Sequence, residues 1–568
     1  MAYFYYINAP FQNKFFHYQK TTMKHVFTFF FFLIGINYTT AQIGINSTGT
    51  APATSAMLDV SSTSKGFLPP RMSTTQRNAI ALPSAGLVVF DIDKNQLFVY
   101  SNSAWNAIAA PTYPRLNTED IDALSSPQVG DLAYDLTFKC LKQYNGIRWL
   151  CTNQDADNIK PTITAWGAGG AMLDQGSAVA IDGSGNIYIT GSFQGTTTFG
   201  NTSVISTGAS DIFVAKYNKS GQFQWVQKAG GMGSDTGTSL ITDATGNVYV
   251  TGIFMNTATF GTMNVISSGG FDVFVAKYNS SGIIQWVQKG GGTTDDFGNS
   301  LTIDNVGNLF VTGEFQGTAT FGSTSVVSAG YTDIFLAKYN NLGTVEWVQK
   351  GGSIYGDFSK GVAVDASGNS YITGSFSDVA SFNGNSVTSA GQSDVFVVKY
   401  NNAGTLQFIK REGGTSGEQA SSIAVDASGN IYIAGNFSGT TTFGFSTITS
   451  AGSNDIFVAK YGYLGNLLWL QNGGGSYSDS AKSLALDNLG NVYVTGNFEV
   501  ASIFSGNIII SKGDLDIFVI KYDTGGIFQW IQKLGGNYVD SPTSIIIDPS
   551  GNIFLTGLYN NTPLRVLG

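Results

Sequence analysis

The chain of 568 residues is long enough for more than one core, and 71 glycines, 40 phenylalanines and 26 tyrosines with only 12% charged residues describe a turn-rich β protein. The formal charge is -9, and because Lys14, Lys20 and Lys24 precede residue 42 in a stretch without acids, 26 basic residues face 38 acidic ones beyond it. Such a balance argues against nucleic acid or an anionic membrane as partner, and since His17 and His25 also precede residue 42, histidine nucleophile systems, histidine bases and His-ligated metals are excluded from the rest of the chain.

From Met23 the chain reads as a secretory signal over 23–41: a basic start, an apolar core from Val26 to Ile36, then Thr39-Thr40-Ala41 before a cut. The apolar core is too short to span a bilayer, which needs about 20 apolar residues. Residues 1–22 put an aromatic-rich stretch ahead of this signal and are expected to be a mis-called upstream extension, with the true start at Met23.

Two small β modules follow, over 42–110 and 111–158. A shift of 44 superposes Pro70-Arg71 on Pro114-Arg115, Gly86 on Gly130, Asp91 on Asp135, Tyr100 on Tyr144 and Trp105 on Trp149. Each copy reads as a Pro-Arg start, a short helical turn and three short strands ending on Trp. Residues from Ile43 to about Trp105, with GFLPPRM at 66–72, resemble the module found just after the signal peptide in many exported bacterial surface and tail-fibre-like proteins. The resemblance implies an extracellular spacer or assembly role and no catalytic residues. Asp91, Asp93 and Asn95 imitate the start of a calcium loop, but Gln96 replaces its glycine and Asn102 its terminal glutamate, so calcium is not expected there. In the second copy Asn145-Gly146 predicts a two-residue hairpin that sets Cys140 opposite Cys151, about 5.5 Å apart at Cα. That separation suits a disulfide in an oxidising compartment; two free thiols on a hairpin are the alternative.

Over 161–568 the motif Asp-x-x-Gly-Asn begins at Asp182, Asp243, Asp304, Asp365, Asp426, Asp487 and Asp548, always 61 residues apart. A fixed period built of β-type segments means stacked copies of one unit. In the first copy 177–182 and 186–193 alternate like strands about a tight turn, where the Asp side chain accepts backbone N–H groups and the glycine supplies a positive φ. A Gly/Thr/Ser-rich stretch follows, then a third strand from Asp211 to Tyr217 and a fourth around Trp225. Phe213 and Trp225 recur in the later copies, with Phe408 standing for Trp once. Four antiparallel strands repeated radially make a β-propeller blade. The recurring VAIDGSGNIYITGSF and DIFVAKYN wording, from about Trp166 to Tyr559, resembles the SBBP family of β-propeller repeats in exported bacterial proteins; the resemblance implies the fold and an exported location, and supplies no site. The fold class expected is therefore all-β, a propeller of six complete four-stranded blades and a partial seventh. The seventh lacks its third strand, so either a strand from before the first copy closes the ring or the arc stays open.

The long connections leave one face of the propeller, where each copy carries an acid before its first strand: Asp174, Asp235, Asp296, Asp357, Glu418, Asp479 and Asp540. Either these tilt toward the axis as a ligand site, with Ca2+ or hydroxyls between them, or each caps its own turn. Phe297, Tyr355, Phe358, Tyr477 and Tyr538 stand beside them, and rings next to carboxylates suit sugars. Lys216, Lys277, Lys338, Lys399, Lys460 and Lys521 are read as a structural ladder of ion pairs. No catalytic motif and no cofactor is expected. The reading is an exported, non-catalytic surface or extracellular propeller that binds a glycan or protein partner. A carbohydrate-active enzyme using ring carboxylates is the alternative, and a purely architectural spacer the second.

Overall fold

The computed structural model describes residues 2–8, 43–45, 58–60, most of 70–107, short strands between 115 and 151, and 163–559 without a break. The expected signal over 23–41, and residues 9–22 of the expected upstream extension, lie outside the described residues. The chain forms two compact units, one of residues 14–159 and one of residues 1–13 with 160–568.

In the smaller unit the 44-residue repeat is repeated in the strand plan. Arg71 lies opposite Phe90 in parallel, and Arg115 lies opposite Tyr134 in the same way; antiparallel strands complete both four-stranded sheets. The short helix Thr74–Asn78 starts on a capping box between Ser73 and Gln76. Asp91 accepts from Thr74 Oγ1 and from the backbone of Asp93 and Lys94, and pairs with Arg77 at 2.9 Å. Those contacts engage the carboxylate of the calcium-like segment. The second hairpin corrects the expected register: Tyr144 faces Trp149, Lys142 faces Cys151, and Cys140 faces Asp135 on the preceding strand. Four residues, not two, form the connection, so the direct apposition of Cys140 and Cys151 expected for a bridge is absent.

In the larger unit every Asp-x-x-Gly-Asn segment is a hairpin turn. In the first, Asp182 accepts from the backbone of Ser184 and Asn186, from Asn186 Nδ2 and from Tyr188 Oη, while Gly185 has φ +81°. The blade follows as Asp174–Ile181, Ile187–Phe193, Asp211–Tyr217 and Phe223–Gly231, paired in that order.

The Gly/Thr/Ser-rich stretch between second and third strands is itself a hairpin, and it reaches sideways. Thr196–Phe199 pairs with Thr202–Ile205 and also with the outer strand preceding the first blade, Gly169 opposite Thr198. Five later copies repeat this bridge, for example Gly230 opposite Thr259 and Gly413 opposite Thr442. Each hairpin buries a phenylalanine against the third-strand phenylalanine of its own blade, with ring centroids 4.9 Å apart for Phe199 and Phe213 and 4.5 Å for Phe321 and Phe335. Neighbouring blades are thus joined by backbone pairing as well as by packing.

The ring closes. Thr543 Oγ1 of the seventh blade donates to the Gly176 carbonyl of the first at 2.7 Å, as Thr238 of the second does to Gly298 of the third. Blade seven consists of Asp540–Ile547, Asn552–Tyr559, Ala2–Asn8 and Ile163–Gly170 in that order. The missing third strand is therefore supplied by residues that the sequence reading sets apart as an upstream extension. Its register matches the other third strands: Tyr3 faces Gly557 as Phe213 faces Gly191.

Candidate functional site

The seven acids of the long-connection face do not form an open carboxylate ring. Each side chain is buried, because each ties its blade-to-blade connection together. Asp235 Oδ2 accepts the Gly231 N–H at 2.8 Å and Oδ1 the Met255 N–H at 3.0 Å, four residues back and twenty ahead. Asp174, Asp296 and Asp357 repeat both contacts. Asp479 accepts from Gly475 and from Ser502 Oγ, and Asp540 from Gly536. These acids cap turns, which is the second of the two readings their position allows.

Glu418 differs. Its longer side chain places Oε2 2.9 Å from the Gly414 N–H, and Oε1, equally buried, has no hydrogen-bond partner. Burial, reinforced by the neighbouring Asp394 carboxylate, pushes it up to about 7. Glu418 lines a cleft of about 310 Å³ between blades four and five, together with Phe358, Ser375, Ser393, Gln419, Asn436 and Asn454.

Two cross-blade positions differ between this cleft and the boundary of blades two and three. Between blades two and three the corresponding positions carry Phe271 and Phe297, whose rings pack 5.9 Å apart. Between blades four and five they carry Ser393 and Gln419, as blades one and two carry Ser210 and Thr236 and blades five and six carry Asn454 and Ser480. Phe358 is 37% exposed at the edge of the cleft. The Lys360 ammonium lies 5.4 Å from its ring centroid and is held there by Glu314 at 2.8 Å.

Of the rings that the sequence singles out, only Phe358 lines this cleft. Phe297 is packed on Phe271, while Tyr355, Tyr477 and Tyr538 are about half exposed on their own connections. The polar lining at Gln419, Asn436 and Asn454 was missed; comparing columns 61 residues apart marks Phe271 and Phe297, not Ser393 and Gln419, as the departure from small polar residues.

The third-strand lysines also need correction. Lys216, Lys277, Lys399, Lys460 and Lys521 lie 4.7 to 5.0 Å over tyrosine rings of the second strand, and Lys338 lies 5.6 Å over Phe310. Of these six, Lys338 pairs with Glu346 and Lys521 with Asp487, while Lys216 and Lys460 donate to carbonyls of the next blade. The ladder is mainly cation–π.

Among the described residues no three His, Cys, Asp or Glu side chains converge as metal ligands, and no helix is long and apolar enough to cross a membrane.

The chain is similar to the following known proteins. An uncharacterised WD repeat-containing protein of Acanthamoeba polyphaga mimivirus is 24% identical over 508 residues, covering 70% of this chain and 36% of that protein. The regulatory protein FlaEY of Caulobacter vibrioides is 24% identical over 374 residues, covering 61% and 38%. The chain thus spans little more than a third of the length of these relatives. Among solved structures, the Neurospora crassa Pan2 WD40 domain aligns with 68% of this chain and 90% of its own, at 9% identity and a TM-score of 0.31. Sqt1 from Chaetomium thermophilum aligns with 70% and 98%, at 10% identity and a TM-score of 0.33. Residues 285–314, 463–497 and 529–565 match the SBBP family, described as a beta-propeller repeat, and residues 44–113 match a phage tail like trimerisation region. Segments of the propeller are thus similar to SBBP β-propeller repeats, and residues 44–113 to a phage tail like trimerisation region.

Proposed function

We propose that the chain is an exported, non-catalytic binding protein of the cell surface or extracellular space, which engages a glycan or protein partner through the cleft between blades four and five. The observation that carries this reading is the cleft itself: a concave, polar site with one exposed ring, on the face where the long connections gather. The match of residues 44–113 to a trimerisation region supports display in three copies, and three weak sites on one assembly raise the effective affinity for a surface.

The test is capture of printed glycans and of cell-surface glycoproteins by the full chain and by Gly417→Leu. Gly417 lines the cleft, and a Cβ there meets only Ser393 Oγ at 3.4 Å and the Gln392 side chain at 3.8 Å, so a leucine fills the space without a backbone clash. Capture that disappears in the variant supports the reading. Capture indifferent to it overturns the cleft as the site, release of a cleaved sugar product overturns the non-catalytic role, and failure of any partner to raise Tm returns the chain to an architectural spacer.

A further inference from the structure

We infer that the third-strand position of blade seven is an acceptor slot for a strand donated by another polypeptide, one with the pattern Asp-Ile-Phe-Val-Ala-Lys-Tyr. Ala2–Asn8 is the resident of this slot and fits it imperfectly. The inference is independent of the cleft between blades four and five.

The second strand that walls the slot keeps the features of its counterparts. In five blades a second-strand threonine donates its hydroxyl to the carbonyl of the third-strand phenylalanine, as Thr190 does to Phe213 and Thr251 to Phe274, at 2.7 to 2.9 Å. Blade seven keeps that threonine as Thr556, fully buried, yet its Oγ1 has no hydrogen-bond partner. A buried hydroxyl left unpaired is destabilising. The group that pairs it in the other blades is a backbone carbonyl of the strand alongside, so a replacement strand reaches it without any opening to solvent. Gly557 likewise stands where Gly191 does, and a Cβ on Gly191 would lie 2.9 Å from the Phe213 ring. A second strand with both residues is shaped for a phenylalanine at that register.

The resident departs from the pattern. Tyr5 stands where Ala215, Ala276, Ala337 and Ala459 stand, a position fully buried in those blades. Tyr6 stands where all six complete blades have lysine, and the position of Asp211 falls on Met1. Lys216 lies 5.0 Å over the Tyr188 ring and Lys338 lies 5.6 Å over Phe310. Phe554 holds the same register in blade seven, so a lysine-bearing strand finds an aromatic ring at its usual place.

A slot between two strands, Asn552–Tyr559 and Ile163–Gly170, holds an extended segment by backbone hydrogen bonds on both sides, while side-chain positions select its sequence. The six segments of this pattern in the chain are all interior strands of their own blades. The donor is therefore a separate polypeptide. A cut after Ala41, expected for an exported chain, would release the resident and empty the slot; the unpaired hydroxyl of Thr556 stands with or without that cut.

The test uses the full chain carrying Tyr5→Pro, since proline is not held in an interior strand, and a fluorescent peptide with the sequence of residues 211–218. Anisotropy is expected to show binding tighter than that of a peptide of residues 1–10 and of a scrambled 211–218 peptide. Crosslinks should map to 163–170 and 552–559, and adding Thr556→Val should weaken binding about fivefold, the effect of one hydrogen bond. Binding no tighter than that of either control, or indifferent to Thr556→Val, overturns the inference. A second measurement leaves the slot filled: the sequence of 211–217 is grafted over residues 1–7 behind a new initiator Met. The graft should raise Tm, and Thr556→Val should lower Tm in the graft but not in the natural chain. A graft that lowers Tm, or a natural chain that loses as much from Thr556→Val as from Thr251→Val, overturns the inference as well.

Discussion

Asp272 and Asp296 face each other across Gly291, and both carboxyls are buried. A Cβ on Gly291 would lie 2.7 Å from Asp272 Oδ1 and 2.8 Å from Asp296 Oδ2. The first belongs to the third strand of one blade and the second to the start of the next. Asp272 Oδ2 accepts the Ser268 N–H at 2.8 Å, while its Oδ1 has no donor. The same arrangement recurs at Asp211 and Asp235 across Gly230, and at Asp455 and Asp479 across Gly474. Burial pushes Asp296 up to about 7 and Asp235 and Asp479 to about 6, and the partner carboxylate adds to each. A proton held between the two acids is the expectation, and it would supply the donor that Asp272 Oδ1 lacks.

The pH dependence follows from those directions. A folded-state value raised above the ordinary carboxylate value contributes stability that is fully present below about pH 4 and is lost as pH rises through 6 to 7. The turn aspartates run the other way: burial alone would raise Asp182, Asp365 and Asp426, but hydrogen bonds led by the paired asparagine hold them below the usual range. Their contribution is present above about pH 4 and fades as pH falls below it. Tm is therefore expected to peak at mildly acidic pH and to decline from pH 5 to pH 8. Asp272→Asn puts an amide donor beside Asp296 and should flatten the alkaline limb; a flat wild-type profile over that range would refute the shared proton.

Outer-strand tryptophans of blades one, two, three and five pack against glycines of the following blade. A Cβ on Gly343, at φ +83°, would lie 2.8 Å from the indole of Trp286 in the preceding blade. Gly343→Ala combines the left-handed backbone penalty of about 1–2 kcal/mol with displacement of that indole, and should lower Tm by several degrees. Gly384→Ala is the control, since φ is +81° and nothing lies within 4 Å of its Cβ. Equal losses in the two variants would mean that the indole contact contributes nothing.

What could be read from the chain alone were contacts at fixed offset inside one unit. Asp365 shows why: the backbone N–H groups of Ser367 and Asn369, Asn369 Nδ2 and Tyr371 Oη all reach it within six residues. Asp365→Ala removes four hydrogen bonds at a net of about 1 kcal/mol each. A loss of about 2–4 kcal/mol in denaturant unfolding is expected, and a loss below 1 would show that water replaces them. Contacts between units were not legible, because they depend on twist and on pairs of residues from different copies. The meeting of Asp272 with Asp296 and the sideways pairing of Gly169 with Thr198 both belong to this class. In the candidate site the direction of the face and two residues, Phe358 and Glu418, were legible; the polar walls were not, since a side chain reads as a wall only when its opposite number is known to be small.

The third strand of blade seven makes the last prediction. Ala2–Asn8 is an interior strand, paired to Asn552–Tyr559 on one side and to Ile163–Gly170 on the other, with Phe4 opposite both Thr556 and Trp166. A chain beginning at Gln42, as a cut after Ala41 would leave it, lacks this strand and turns two paired strands into facing edges. Their backbone groups then exchange with solvent, and exposed edges invite strand exchange between copies. Hydrogen exchange of that chain should show protection lost over 163–170 and 552–559 and kept in blades two to five, where no pairing depends on residues 2–8. Adding a synthetic peptide of residues 1–10 should restore it. Protection that is the same with and without residues 1–41 would mean that the ring closes through the contact of Thr543 with Gly176 and the packing of Phe554 and Ile546 on blade one, and that Ala2–Asn8 adds no stability to it.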